Sequence, residues 1–354
     1  MNRNRAIDYA KGLTVALMVL CHVMQFFGKA EIPSVDFTMS LANILAFPLF
    51  VFTYGQSVYL AYCRRPFRAA APRLLMSSLR AYAAFCLSGI AYLVLCQADD
   101  LSSRTVLRVA TLQSIPGWSE FLIAFALFGL TALLLLPLLP RLLERRAAVL
   151  AVAAACLLGV LVPYAAVDSS IAGLLIGTTR YSAFPILQYM PFFLMGLYAG
   201  RYGFERKALW VVLSAAMSGA AAVYTVRNGL PSRFPPSLMW LLLPCALIVL
   251  LSLLAAWVNG RAEGCRPLRR ILSPLESLGR NSLYYLLSSN LVIFALSRTR
   301  TLPIIRKSER FPFTVAQGTF GWAIIWTLVL LLAIGFMASL TRKPPREPRV
   351  KVEK

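Results

Sequence analysis

Long apolar stretches alternate with short polar segments along the whole chain, and this alternation is the main structural signal in the sequence. A helix needs about 20 mostly apolar residues to cross a bilayer. About ten stretches qualify, near residues 11–28, 39–62, 75–97, 119–139, 147–167, 182–200, 208–226, 237–258, 279–297 and 318–340. Each is predicted to be helical, because hydrocarbon offers backbone groups no partner outside their own segment. The pattern therefore predicts an all-α, polytopic transmembrane helix bundle of about ten spans.

The segments between these stretches are too short to hold a soluble domain, so residues 1–340 are predicted to form one transmembrane domain. Residues 341–354 (TRKPPREPRVKVEK) are basic, rich in proline and without apolar periodicity. They are predicted to be a disordered cytoplasmic tail. The first apolar stretch is followed by Lys29 rather than by a small-residue cleavage site, so we expect it to remain as the first helix.

The composition excludes a water-soluble globule, because 59% of the residues are hydrophobic and only 14% are charged. The net charge of +22 would also suit a nucleic-acid-binding protein. However, the basic residues form short clusters between apolar stretches, as in the cytoplasmic loops of membrane proteins, so no nucleic-acid partner is predicted. The seven cysteines include no CxxC pair and mostly lie in apolar stretches, so neither disulfides nor a metal site is predicted.

The basic clusters predict the orientation of the bundle. With the N-terminus in the cytoplasm, the even-numbered loops carry clusters at residues 64–73, 141–146, 201–207 and 261–270, and the tail is basic as well. The odd-numbered loops are poorer in Lys and Arg, which predicts that both termini are cytoplasmic. The last outer loop is an exception, with Arg298, Arg300, Arg306, Lys307 and Arg310. That cluster either contacts an anionic glycan or lipid head group or is simply solvated.

His22 is the only histidine in the chain, and it lies in the middle of the first predicted span. An ionisable residue at membrane depth is costly and usually faces a cavity or a partner. Imidazole suits proton transfer near neutral pH. The alternative is that His22 only forms a hydrogen bond with a neighbouring helix.

Asp8 and Lys11 lie three residues apart at the predicted cytoplasmic end of the same span. Lys11 precedes His22 by eleven residues, which is roughly 16 Å along a helix and close to three turns, so both side chains share one face. The cation would then hold an anionic donor while the imidazole acts at the acceptor. Otherwise Asp8 and Lys11 are interfacial anchors that form an exposed pair worth little.

The opening segment RAIDYAKGLTVALMVLCH resembles the start of membrane-bound acyltransferase family 3, in which Asp, a cation and His follow one another at this spacing. Four later segments are similar to motifs of that family in the same order. They are FPLFVFTYG at 47–55, WSEFL at 118–122, QYMPFFLMG at 188–196 and LGRNSLYYLL at 278–287. The resemblance covers nearly the whole chain.

This resemblance implies a bacterial inner-membrane O-acyltransferase that takes an acyl group, expected to be acetyl, from cytoplasmic acetyl-CoA. The acceptor would be a hydroxyl of a cell-surface or exported polysaccharide, or of a lipid-linked sugar, reached through a tunnel in the bundle. Acetyl-CoA is then a substrate, and no permanently bound cofactor is expected. His22 would act as general base or carry the acyl group. The residues expected to contact CoA phosphates are Lys11, Arg64, Arg65, Arg68 and Arg73.

Three positions depart from the family pattern. Lys11 stands where most relatives have Arg, so the charge is kept but the planar fork is lost. Tyr54 occupies the position of a family serine. The late histidine of the family is missing, and Ser288, Ser289 and Asn290 stand in that region, which leaves the chemistry to His22.

Glu120, beside Trp118 at the start of a predicted span, is the third catalytic candidate with His22 and Asp8. It would orient the imidazole or bind a sugar hydroxyl while Trp118 stacks on the ring, or it only caps the helix. A carrier or exporter of a glycan is the alternative function, because a buried ionisable residue in a ten-helix bundle also suits proton-coupled transport. No second copy of the Asp8, Lys11 and His22 pattern is present to support the repeated halves common in transporters.

Overall fold

The structure, a computed structural model, describes residues 4–28, 32–299 and 320–340, and all regular secondary structure in these ranges is helical. The longer helices are α1 (Arg5–Phe27), α2 (Pro33–Val58), α3 (Phe67–Cys96), α5 (Glu120–Leu135), α7 (Arg146–Leu157), α9 (Ile186–Tyr202), α10 (Lys207–Asn228), α12 (Cys245–Gly264), α13 (Arg266–Arg280), α14 (Ser282–Thr299) and α15 (Phe320–Leu340). Short helices between them are α4 (Ser103–Ala110), α6 (Leu139–Glu144), α8 (Ser170–Ile176) and α11 (Leu238–Leu242). The predicted all-α bundle is confirmed for the described residues.

Six helical segments in the described part of the chain are long and apolar enough to cross a bilayer. They are α1, α2 with its π-helical extension Tyr59–Cys63, α3, α10, the combined segment Leu238–Gly264, and α15. Shorter apolar helices cover Glu120–Leu135, Arg146–Leu161 and Ser282–Ser297. Together these nine helical segments overlap nine of the ten apolar stretches found in the sequence. The tenth stretch, near residues 182–200, corresponds to α9.

The first three long helices begin six to eight residues before the apolar stretches that predicted them, at Arg5, Pro33 and Phe67 rather than near residues 11, 39 and 75. α1 begins at Arg5 rather than near residue 11, because the Asn4 side chain accepts a hydrogen bond from the Ala6 N–H at 3.1 Å and caps the helix. Asp8 follows in the first turn, where a negative charge favours the helix N-terminus. A helix therefore continues past the apolar residues into the polar interface.

Glycines allow two helix pairs to pack backbone against backbone. A Cβ at Gly55 of α2 would collide with the Phe193 carbonyl of α9, and one at Gly196 of α9 would collide with the Phe52 carbonyl. Gly12 meets the Leu275 carbonyl in the same way where α1 packs against α13. Small residues permit such close approach in membranes, where packing rather than water exclusion drives helix association.

α13 corrects one part of the sequence prediction, the basic loop at residues 261–270, most of which is helical. The span predicted near 279–297 corresponds to α14. α13 is an amphipathic helix that packs along the start of α1, with Leu278 and Gly279 buried and Ile271 exposed. With fifteen residues, five of them charged, it is too short and too polar to cross a bilayer. Because Gly279 lies against the backbone of Asp8, the last turn of α13 packs directly on the first turns of α1.

Some predicted features lie outside the described residues. These are the outer basic residues Arg300, Arg306, Lys307 and Arg310, the side chain of Arg298, and the tail at 341–354. Within the described residues, the core contains many large aromatic side chains, with Phe52, Phe128, Tyr189 and Phe193 almost fully buried. The candidate site lies at one end of this core, where α1 ends and α2 and α5 begin.

Candidate active site

A cavity of about 250 Å³ lies between α1, α2, the start of α5 and the segment that joins α10 to α11. Its lining includes His22, Asn43, Trp118, Glu120 and Arg233, together with further polar and aromatic side chains such as Gln25 and Phe184. A second cavity, of about 340 Å³, shares Gln25, Asn43 and Trp118 with the first. Its lining includes the end of α1 and the beginning of α2, so the two spaces lead from His22 toward the end of the bundle that the loop charges predict to be outside.

His22 lies in the last third of α1 and is held by a hydrogen bond. Its Nδ1 lies 2.9 Å from Oδ1 of Asn290 on α14. The Trp118 ring packs edge-on against the imidazole, with ring centroids 5.5 Å apart and planes at 89°. His22 and Asn290 are 268 residues apart in sequence, so the bundle itself creates this contact.

The other bonds of Asn290 define which imidazole nitrogen carries the proton. Asn290 Nδ2 donates to the Trp118 carbonyl and to Ser88 Oγ, both at 3.1 Å. A carbonyl can only accept, so the amide nitrogen must face Trp118 and Oδ1 must face His22. Nδ1 of His22 is therefore the protonated nitrogen, and Nε2, with its free lone pair, is the nitrogen left for a substrate.

The backbone at Trp118 is held in an uncommon conformation. Its φ is 66°, in the left-handed region, which costs a non-glycine residue of the order of 1–3 kcal/mol. The next residue, Ser119, is buried and donates to Ser88 Oγ at 3.0 Å. Ser88 thus joins the turn before α5 to Asn290, and the turn directs the Trp118 carbonyl at the Asn290 amide.

Glu120 is the first residue of α5 and also lines the cavity. The sequence left two roles for Glu120 open, capping the helix or acting at the site, and its position in the structure is compatible with both. Its Oε2 is buried and accepts no hydrogen bond from the residues that the structure describes. An unpaired buried oxygen of this kind is costly unless a ligand or water satisfies it.

Arg233 is a cavity residue that the sequence did not single out, because it counted only as a charge in an outer loop. Its Nη1 donates to Asn43 Oδ1 at 2.7 Å, and its guanidinium carbon lies 4.5 Å from the Phe234 ring centroid. Burial lowers the pKa of Arg233 from its usual value, while the nearby Glu120 carboxylate opposes that shift. The guanidinium remains charged, since the pKa of Arg is far above neutral pH.

The residues predicted to bind the donor lie at the opposite end of the bundle. Lys11 is partly buried near the start of α1, roughly 16 Å along the helix from His22. Arg64 and Arg65 follow the end of the α2 segment, and Arg68 and Arg73 lie in the first turns of α3. Arg64, Arg68 and Arg73 are exposed, and Arg65 is partly buried. These positions agree with a basic surface at the end of the bundle that contains Lys11.

Asp8 is not brought together with His22. It is buried near the start of α1, about 21 Å from His22 along the helix, and does not line the cavity. Its backbone packs against Gly279 of α13. The structure therefore groups Asp8 with the Lys11 end of the molecule, while His22, Glu120 and Arg233 share the cavity.

Aromatic side chains pack beside the cavity on its Lys11 side. The Phe125 ring lies 5.1 Å from the Phe50 ring and 5.6 Å from the Tyr54 ring, measured between centroids. Tyr54, which replaces a small family residue, therefore belongs to this aromatic layer and does not line the cavity.

One comparison with known proteins gives a match that covers most of the chain. The sequence model of a family described as the acyltransferase domain matches residues 4–342, nearly the whole chain. No curated protein gives a significant match. The matched region contains the cavity residues, both ends of α1 and the basic residues between α2 and α3.

The Asn290 geometry makes a prediction about turnover. Asn290→Ala should lower kcat roughly tenfold to a hundredfold and leave the KM of the donor unchanged, because the imidazole loses its fixed orientation. The matched control is Ser289→Ala, a neighbouring buried residue whose hydroxyl bonds only to the Leu286 carbonyl within α14. Steady-state kinetics well below the unfolding temperature decide the point. Equal losses in both variants would show a general packing effect instead.

Proposed function

The chain belongs to membrane-bound acyltransferase family 3, and from that membership we propose that it transfers acetyl from cytoplasmic acetyl-CoA to a hydroxyl of a cell-surface or exported polysaccharide. The family establishes an acyltransferase, and the apolar helices agree with a multi-pass membrane protein. Carriage or export of a glycan, the alternative from the sequence, is not needed to account for this membership. The observation that supports the chemistry best is an imidazole with a defined tautomer inside a cavity.

The proposed reaction uses Nε2 of His22 as general base. The acceptor hydroxyl gives its proton to Nε2 while its oxygen forms a bond to the acyl carbon. The C–S bond of the thioester then breaks, and the CoA thiolate takes the proton from the imidazolium. Asn290 keeps Nδ1 protonated throughout, so Nε2 remains the reacting nitrogen.

The covalent alternative, in which His22 carries the acyl group, requires a second catalytic group in the site. An acylated imidazole could not also deprotonate the acceptor, so another base would be required. Glu120 would have to take that part, since it is the carboxylate among the cavity-lining residues. Direct transfer needs one histidine, as the sequence has, and we therefore favour it.

The proposed donor site consists of positively charged side chains. Lys11 and the cluster Arg64, Arg65, Arg68 and Arg73 would contact the CoA phosphates through charge-assisted hydrogen bonds. Asp8, three residues before Lys11 on the same helix, would position that cation rather than act on the substrate.

The proposed setting is a bacterial inner membrane with ten crossings and both termini in the cytoplasm. Counting α9 with the other apolar helices gives ten crossings, and the four basic loops then fall on one side. Residues 1–340 would form the transmembrane domain, and 341–354 a cytoplasmic tail. Lys11 would then face cytoplasmic acetyl-CoA, and the His22 cavity would face the acceptor on the outer side.

Radiolabelled acetyl-CoA tests the proposed function directly. Membranes that contain the chain should release free CoA and incorporate acetyl label into a glycan, because only an acyltransferase joins these two events. Membranes without the chain provide the background. Release of CoA without labelled glycan would contradict the proposed acceptor, and the absence of both would contradict the proposed reaction.

Lys11 variants test the donor site separately. Lys11→Ala should raise the KM for acetyl-CoA roughly tenfold or more, because a hydrogen bond to a charged group contributes about 1–3 kcal/mol. Lys11→Arg should stay active, since Arg grips phosphate at least as well. Lys207→Ala, which removes an exposed cation at the start of α10, is the control. An unchanged KM in Lys11→Ala at normal protein levels would leave Lys11 as a topology signal.

A further inference from the structure

Two opposite charges line the His22 cavity, and each has a buried atom without a hydrogen-bond partner in the described part of the chain. These atoms are Oε2 of Glu120 and Nε of Arg233. The two side chains interact electrostatically, yet no ion pair within 4.0 Å joins them among the described residues. A buried polar atom left unpaired is expensive, so a site that keeps two of them is built to receive a polar ligand.

Arg233 is fixed where a ligand would meet it. One Nη is held by Asn43, and the guanidinium carbon lies 5.3 Å from the Phe184 ring centroid and 4.5 Å from that of Phe234. The planar group is therefore held by one hydrogen bond and two aromatic contacts. Its buried Nε remains as a donor, opposite in character to the acceptor oxygen of Glu120.

The charges of the two cavities decide which ligand fits. The inner cavity contributes Glu120 and Arg233, which balance one another, and the adjoining cavity contributes Asp36. Among the described lining residues, an anionic ligand would thus meet two carboxylates and one guanidinium. Moving a charged group from water into such a space without a matching partner is unfavourable. A neutral ligand with hydroxyl groups can satisfy both unpaired atoms without adding charge.

We propose that the acceptor is a neutral sugar residue whose neighbouring hydroxyls bridge Glu120 and Arg233. One hydroxyl donates to Oε2 of Glu120, another accepts from Nε of Arg233, and the reacting hydroxyl faces Nε2 of His22. The Trp118 ring and the Phe184 ring line the same cavity and supply apolar surface for the sugar. This inference rests on the proposed function and names the substrate class of the same site.

Analysis of the labelled glycan tests the class of acceptor. The glycan acetylated by membranes with radiolabelled acetyl-CoA would be cleaved to oligosaccharides and analysed by tandem mass spectrometry. The acetyl ester should be found on a neutral residue. An ester on a uronic acid or a phosphorylated sugar would overturn the inference while leaving the proposed acyl transfer intact. A glycan without any label would overturn both.

Variants test the two residues. With the cleaved, deacetylated oligosaccharide as soluble acceptor, Glu120→Gln and Arg233→Gln should each raise the acceptor KM about tenfold. The KM for acetyl-CoA should stay unchanged, which a general loss of structure would not allow. Arg227→Gln, which removes an exposed charge at the end of α10, should leave both KM values unchanged. Unchanged acceptor KM values in both cavity variants would overturn the inference.

Discussion

The site depends on one side-chain amide. Asn290 accepts from His22 of α1 and donates to Ser88 of α3 and to the Trp118 carbonyl before α5, so one residue of α14 joins four parts of the bundle. In a low-dielectric interior each of these bonds is strengthened, and the loss of any partner leaves a buried polar group unpaired. The same interaction determines both where His22 lies and which nitrogen it presents.

Close helix packing around the site stabilises this arrangement in the membrane. Glycines let α2 approach α9 and let α1 approach α13, and these contacts hold the scaffold where apolar residues gain little from meeting one another. The strained φ of Trp118 is offset by the bonds on either side of it, through its own carbonyl and through Ser119. Strain of this kind is common at functional sites, and here it directs a carbonyl toward Asn290.

Local sequence patterns predicted the helices and His22, because periodicity and membrane depth are properties of a short window. They did not predict α13, because its arginines made the segment resemble a basic loop although one face of the helix packs on α1. They recorded Asn290 only as the place of a missing histidine and Arg233 only as a loop charge. Both roles come from contacts between distant segments, such as Arg233 with Asn43, which no local pattern contains. The role of Glu120 could not be decided from the sequence, because the first residue of α5 can both cap the helix and line the cavity.

The central claim is that His22 performs proton transfer in a cavity separated from the donor-binding end of α1. The most direct measurement is the single-turnover rate of acetyl transfer by the purified full chain and its His22→Ala variant, with acetyl-CoA binding measured in parallel. The account predicts a loss of at least about a hundredfold in rate, the usual contribution of a positioned base, with donor binding unchanged. A variant that transfers acetyl within about tenfold of the original rate would contradict it.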